Sequence, residues 1–195
     1  ELIADRPNIR DIIVHTDVPQ LDIVPANIDL SAAEIVLINE VAREQALSRV
    51  LRPVVDEYDL IIIDCQPSLG LLTVNALTAA HGVMIPLEAE YFAMRGVALL
   101  TEQIGRIQDR LNPRLVLDGV LLTMIDMRTL HSREVMASVR EGFGEKVYDT
   151  YIARTVKFPD ATIAAQPITT YAPHHPGAQA YRRLAREVIA KGQCA

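Results

Sequence analysis

Asp64 closes a run of four aliphatic residues, Leu60-Ile61-Ile62-Ile63, and is followed by Cys65-Gln66-Pro67-Ser68. A carboxylate at the end of an apolar strand can hold a hydrated Mg²⁺ beside a nucleotide's phosphates, because Mg²⁺ takes one or two carboxylates and keeps much of its water. The same group can cap a helix or tie down a loop, and the run alone does not separate these roles. Other chemistry-bearing residues form weaker constellations. His174-His175, between Pro173 and Pro176, has no evident third ligand, so no metal site is expected there. Ser68 and the five histidines offer no nucleophile and base pairing. Cys65 and Cys194 lie far apart with no C-x-x-C spacing, which argues against a disulfide framework and against structural zinc.

The elements that must position these residues follow from the period of the apolar pattern. Short apolar runs predict strands at Leu21–Pro25, Leu60–Ile63, Gly82–Leu87, Leu115–Met124 and Lys146–Ile152. The unbroken Leu60–Ile63 run predicts burial on both faces. Helical spacing predicts a helix opening at Ser31, with Glu34 completing a capping box. Further helices are expected over Arg43–Tyr58 (interrupted near Pro53), Gly70–Ala80, Ala93–Leu111, Leu130–Phe143 and Gly177–Ala190. Gly142-Phe143-Gly144, a lone GxG after a helix, reads as a C-cap, and Pro167–Pro176 reads as a loop. Alternation of strand and helix predicts an α/β fold with an open, mostly parallel sheet flanked by helices. In such sheets ligands bind beyond the carboxyl ends of the strands. Asp64 sits at one such end, Asp126-Met127-Arg128-Thr129 follows another, and Ile152 to Thr155 forms a third.

Spread over 195 residues, 50% hydrophobic and 23% charged, these candidates belong to a folded chain. The length fits one domain, residues 1–195. Glu1, Asp5, Arg6 and Arg10 interrupt any apolar start, so no signal peptide is expected. Asn75, His81 and Pro86 make Leu69 to Leu87 a buried helix and strand rather than a membrane span. Cytoplasm is the expected compartment. The net charge of −6 hides an asymmetry: residues 1–100 carry 15 acidic and 6 basic side chains, residues 101–195 carry 10 and 13. Such a chain can still bind a polyanion where its cations share a face, since salt confines each field to about 8–10 Å.

The stretch from Tyr58-Asp59 through Asp64-Cys65-Gln66-Pro67-Ser68-Leu69-Gly70 to Asn75-Ala76-Leu77 closely resembles the Walker B region of the ParA/Soj chromosome and plasmid partition ATPases, relatives of MinD. The resemblance continues through Ile85-Pro86, Glu90-Tyr91-Phe92-Ala93, Gly119 to Asp126, Lys146-Val147-Tyr148 and Gly177-Ala178, and so covers nearly the whole chain. It implies a P-loop NTPase fold of the ParA/MinD kind. The family also carries a deviant Walker A loop, K-G-G-x-G-K-[ST], and an Asp-Pro-Gln-Gly switch. Neither occurs in this sequence, where none of the nine glycines precedes a lysine. The expectation is therefore a partly represented member, a single ParA-type domain lacking the first P-loop βαβ unit. Gln66 also replaces the family's usual Pro.

The resemblance assigns roles residue by residue. Asp64 is expected to be the catalytic residue and to hold Mg²⁺ through water. Met124, with Ala153 and Arg154 of the Ile152 to Thr155 turn, is expected around the adenine of ATP. Ala153 and Thr155 replace the family's Pro and Asn there, which leaves the contact to backbone groups. Arg128 and Lys157 match cations that relatives use for sequence-independent DNA binding, with Lys157 standing where Arg is usual. Glu88, Glu90 and Arg95 match a region near the family's dimer interface. The implied function is an ATP-dependent homodimer that binds nucleoid DNA non-specifically and is stimulated by a ParB-type partner. The alternative is a truncated, non-catalytic module that binds DNA or a partner and cannot bind ATP by itself. A MinD-like membrane helix, with Arg182, Arg183, Arg186 and Lys191 around Leu184 and Val188, is a weaker option, and no stable membrane association is expected.

Overall fold

The computed structural model describes residues 8–66, 68, 70–88 and 93–192. Pro67, Leu69, Glu90-Tyr91-Phe92, the Arg95 side chain and Cys194 lie outside the described residues, as do Glu1, Asp5 and Arg6. The chain forms two compact units, residues 1–81 with 104–115, and residues 82–103 with 116–195.

In the first unit a short hairpin pairs β1 (Val14–His15) antiparallel with β2 (Asp22–Ile23). The strand expected at Leu21–Pro25 is thus only two residues long. Asp22 lies 2.7 Å from His15 Nδ1 and accepts from the Tyr58 hydroxyl at 2.8 Å. These bonds, with His15 the larger cause, hold the Asp22 carboxyl below its usual range.

Helix α1 (Leu30–Leu37) begins one residue before Ser31, and this overturns the expected capping box. Inside the first turn the Ser31 hydroxyl donates instead to the Ile28 carbonyl at 2.7 Å. Glu34 turns away to accept the Leu72 amide at 3.2 Å, at the start of α3 (Leu71–Ala79). A carboxylate from another helix therefore serves an amide that α3's own N-cap, Gly70, cannot satisfy, and it sits where the helix dipole favours negative charge. The Arg43–Tyr58 segment breaks at Pro53 as expected, into α2 (Ala46–Leu51) flanked by single turns at Arg43–Gln45 and Val55–Glu57.

Asn75, buried within α3, ties these pieces together. Its Oδ1 accepts the Leu47 amide at 3.0 Å, and its Nδ2 donates to the carbonyls of Arg43 and Leu71, both at 2.9 Å. Asn112 does the same at the other end, donating to Leu77 and Ala80 carbonyls that the end of the helix leaves open.

The strand expected at Leu60–Ile63 is not formed. The run has no ladder partner among the described residues. Burial on both faces is overturned with it: Leu60 is 58% exposed and Ile62 81%. A strand exists only through its neighbours' N–H and C=O groups, and β-branched composition cannot supply them.

The second unit is built on β3 (Gly82–Glu88) running parallel to β4 (Val116–Thr123), in register from Gly82 opposite Val116 to Glu88 opposite Thr123. Residue 118 is an extra residue on β4, because Val83 faces Leu117 while Met84 faces Gly119. Past this bulge the backbone is crowded. A Cβ at Gly119 would stand 2.5 Å from the Lys146 carbonyl oxygen and 2.9 Å from the Tyr148 ring.

Helices α5 (Leu130–Phe143), α6 (Lys157–Ile163), α7 (Ile168–Tyr171) and α8 (Pro176–Gly192) belong wholly to this unit. The helix between β3 and β4, α4 (Ala93–Arg110), divides its residues between the two units. Thr129 caps α5, accepting the Ser132 amide at 3.2 Å, and Gly144, with φ of 51°, closes it as expected. Helix α7 interrupts the expected Pro167–Pro176 loop because Pro167, fixed at φ of −60°, offers its carbonyl to the Thr170 and Tyr171 amides.

The strand expected at Lys146–Ile152 survives only as separate contacts with β4: Tyr148 donates to Val120 at 3.0 Å and Ile152 to Leu122 at 2.9 Å. Between them the Asp149 and Thr150 amides are taken by the Glu187 carboxylate of α8 at 3.1 and 3.0 Å, which breaks the ladder.

Helix α8 lies on this surface. Leu121, Tyr148, Ile152, Ala180 and Leu184 form one buried cluster, with Met84, Phe158 and Val188 against it. The apolar face that suggested a membrane helix is thus spent on the protein's own core. No helix among the described residues is long and apolar enough to cross a membrane. Lys191 closes the cluster, 3.9 Å over the Tyr148 ring and donating to the Asp118 carbonyl at 3.1 Å. Burial, helped by Asp118 and Glu187, pushes Tyr148 up to about 12.

Two substitutions test this account. Asn75→Ala leaves the Leu47 amide unpaired and is expected to cost about 1–3 kcal/mol, read from the urea midpoint. Gly119→Ala meets a backbone carbonyl that cannot swing aside, and the expected loss is again about 1–3 kcal/mol.

Candidate functional site

The expected site residues fall in both units. Asp64 is in the first, in an irregular and exposed segment. No hydrogen bond or ion pair among the described residues reaches its carboxylate, so it caps none of their amides. Gln66, two residues on, lines an open cleft of about 250 Å³ with Asn27, Ile28, Leu30, Ser31, Glu34 and Leu72.

The remaining candidates, Met124, Arg128, Ala153, Arg154 and Lys157, lie in the second unit, and most gather at the carboxyl ends of β3 and β4. Immediately after β4, Met124 takes φ of 54° and turns the chain, leaving the residue 39% exposed. Ile125 then pairs with Ala153 in a single parallel bridge: its amide donates to the Ile152 carbonyl at 3.1 Å, and the Arg154 amide returns a bond to its carbonyl at 3.0 Å. Met124 and the Ile152 to Thr155 turn are therefore neighbours.

Four charges follow from this pairing. Arg154 Nη2 donates to Glu88 Oε1 at 2.5 Å, joining the end of β3 to the turn. Asp126 receives three bonds from Arg128: the backbone amide at 3.1 Å, Nε at 2.9 Å and Nη2 at 2.7 Å. The tight turn is closed by the Thr129 amide bonding to the Asp126 carbonyl at 3.0 Å. This two-pronged grip, with the Arg128 amide and the Arg154 charge adding to it, holds the Asp126 carboxyl well below its usual range, at about 2.

Lys157 opens α6 and is paired in turn, with Nζ 2.9 Å from Asp160 one turn along. Asp160 raises the ammonium's pKa in return. Both cations matched to DNA contacts thus hold a carboxylate of their own, although the Arg128 side chain remains 90% exposed. Among the described residues no cluster of His, Cys, Asp and Glu suits a directly bound metal ion. His175, set aside as a ligand, instead accepts the Gly177 amide on Nδ1 at 3.0 Å near the start of α8.

Sequence reasoning missed the carboxylate partners. Asp-x-Arg-Thr ahead of a helix carries the signature of a side chain turning back on its own backbone, which would have found Asp126. Glu88 and Arg154 are 66 residues apart and leave no local signal.

Comparison with known proteins bears on what this arrangement is. The AAA domain family matches residues 1–117. Soj, the sporulation initiation inhibitor protein of Bacillus subtilis, is 45% identical over 98% of this chain and 76% of its own length. The chain belongs to the ParA/Soj family. An uncharacterized protein of Mycobacterium tuberculosis is 57% identical over 96% of the chain, which spans 59% of that relative's length. Among solved structures, cobyrinic acid a,c-diamide synthase from Mycobacterium smegmatis, with bound ADP and magnesium, is 36% identical, covers 98% of this chain and 71% of its own, and superposes with a TM-score of 0.83. The α/β fold is that of the P-loop NTPases, as the ParA/Soj resemblance implied.

The Asp126 grip is open to direct measurement. By carboxyl-carbon NMR, Asp126 is expected to titrate near pH 2, and Arg128→Ala to return the midpoint toward the ordinary 3.8. Because its folded pKa is depressed, whatever stability the pair contributes is present above about pH 4 and is lost as pH falls toward 2.

Proposed function

We propose that the chain works in a ParA-type ATPase of chromosome or plasmid partition. ATP with Mg²⁺ closes a homodimer, the dimer holds DNA without reading its sequence, and a ParB-type partner stimulates hydrolysis. The setting is the cytoplasm, on the nucleoid.

Asp64 carries this reading. Its exposed carboxylate, with no competing donor among the described residues, fits what Mg²⁺ asks of a protein, an oxygen ligand that tolerates intervening water. When bound, Mg²⁺ neutralises charge on the phosphates. In the first unit Asp64 would hold one of the ion's waters; by the family resemblance, Met124 and the backbone of Ala153 and Arg154 in the second unit are matched to the surround of a base. The ADP and magnesium held by the Mycobacterium smegmatis structure support binding of a nucleotide with Mg²⁺ by kinship. The phosphates need a cradle in addition to these 195 residues, whose glycines precede no lysine. Arg128 and Lys157 would contact DNA phosphates, Arg128 through its exposed guanidinium and Lys157 as a point charge.

A second reading, a non-catalytic module that binds DNA or a partner, is favoured by that same missing Gly-Lys pair. The natural gene product separates the two. ParA-type action predicts slow hydrolysis of Mg-ATP, lost in Asp64→Asn, and DNA retention only in the presence of ATP. Equal DNA binding with and without ATP would reject it, and absent Mg-ATP binding by isothermal titration with DNA binding retained would establish the module.

A further inference from the structure

Glu88, Arg154, Asp126 and Arg128 form two ion pairs at the carboxyl ends of β3 and β4, and their formal charges cancel. A polyanion gains little from a neutral surface. Phosphate binding draws its free energy from cations that replace counterions, and a cation already matched to a carboxylate has fewer to release. At Arg128 the match is close. Nε and Nη2, the edge that best fits two oxygens of a phosphate, are both occupied by Asp126 oxygens at 2.9 and 2.7 Å. Lys157 repeats the arrangement with Asp160 at 2.9 Å.

We propose that Asp126 is a built-in competitor for polyanion at Arg128, occupying the guanidinium edge that a DNA phosphate would take and so setting how weakly DNA is held. The inference rests on the reading of Arg128 as a DNA contact. It adds a residue that acts against binding, where the resemblance supplied only residues that act for it. The geometry suits a competitor better than a brace. The Arg128 backbone is already fixed by the turn that the Thr129 amide closes on the Asp126 carbonyl. The side chain beyond is 90% exposed, so little besides the carboxylate confines it. Asp126 also carries a negative charge of its own beside the path of the strand. Release and repulsion thus act in the same direction.

Asp126→Asn tests the proposal, because an amide oxygen still accepts the Arg128 backbone amide and keeps the turn while the charge is removed. The probe is a sequence-unrelated duplex, titrated against the ATP-loaded natural gene product at several salt concentrations. Asp126→Asn is expected to bind about 2- to 5-fold more tightly, the scale of an exposed ion pair. Its logarithmic salt slope should steepen by less than the roughly one unit that a whole phosphate contact adds, since Arg128 already contributes in the parent protein. Arg128→Ala, measured alongside, is expected to weaken binding and flatten the slope.

Unchanged or weaker binding by Asp126→Asn, with Arg128→Ala still weakened, overturns the competitor and leaves the DNA reading standing. No effect of Arg128→Ala removes the DNA reading at this residue, and the competitor falls with it. Should Asp126→Asn fail to fold, Asp160→Asn asks the same question of Lys157: tighter binding supports competition by paired carboxylates, and unchanged or weaker binding overturns it.

Discussion

The parallel pairing of β3 with β4 fixes where the chemistry of the second unit can sit. Running both strands the same way brings Glu88 and Thr123 level, so that everything following β4 emerges beside the end of β3. Met124 turns the chain there, Ile125 catches the 152–154 segment, and the charged residues follow. The bulge at residue 118 keeps this alignment compatible with a crowded flank, where only a glycine at 119 leaves room for Lys146 and Tyr148. Packing by α8 then covers the same flank through Leu184 and Val188.

Much of this was legible in local pattern. Leu130–Phe143 agrees at both ends because the residues that cap it, Thr129 at its start and Gly144 at its end, are contiguous with it and act on its own backbone. What escaped was set by distant partners. The Lys146–Ile152 run has strand composition, but Glu187 lies 38 residues from Asp149 and claims the amides a ladder needs. Glu34 looked like half of a capping box and serves an amide 38 residues away instead. Near Arg128 the end of β4 was legible from its apolar run, whereas the strand expected ahead of Asp64 was not formed. Their electrostatic surroundings did not follow, because a cation's availability depends on which carboxylate the fold delivers to it.

That distinction matters for the family relationship. Kinship with Soj gives the family, while the ion pairs at Arg128, Arg154 and Lys157 say in what state these cations are held. An exposed guanidinium and a free guanidinium are different things. Exposure governs whether a phosphate can arrive, and pairing governs what it must displace.

The unpaired Leu60–Ile63 run has a consequence of a different kind. Among the described residues Leu60, Ile61 and Ile62 lie open to solvent with no ladder partner, an exposed edge on which a second chain could pair. Asp59 and Asp64 bracket it as gatekeepers whose like charges oppose in-register stacking of one copy on another. Raised salt, which screens that repulsion, is where such assembly would begin.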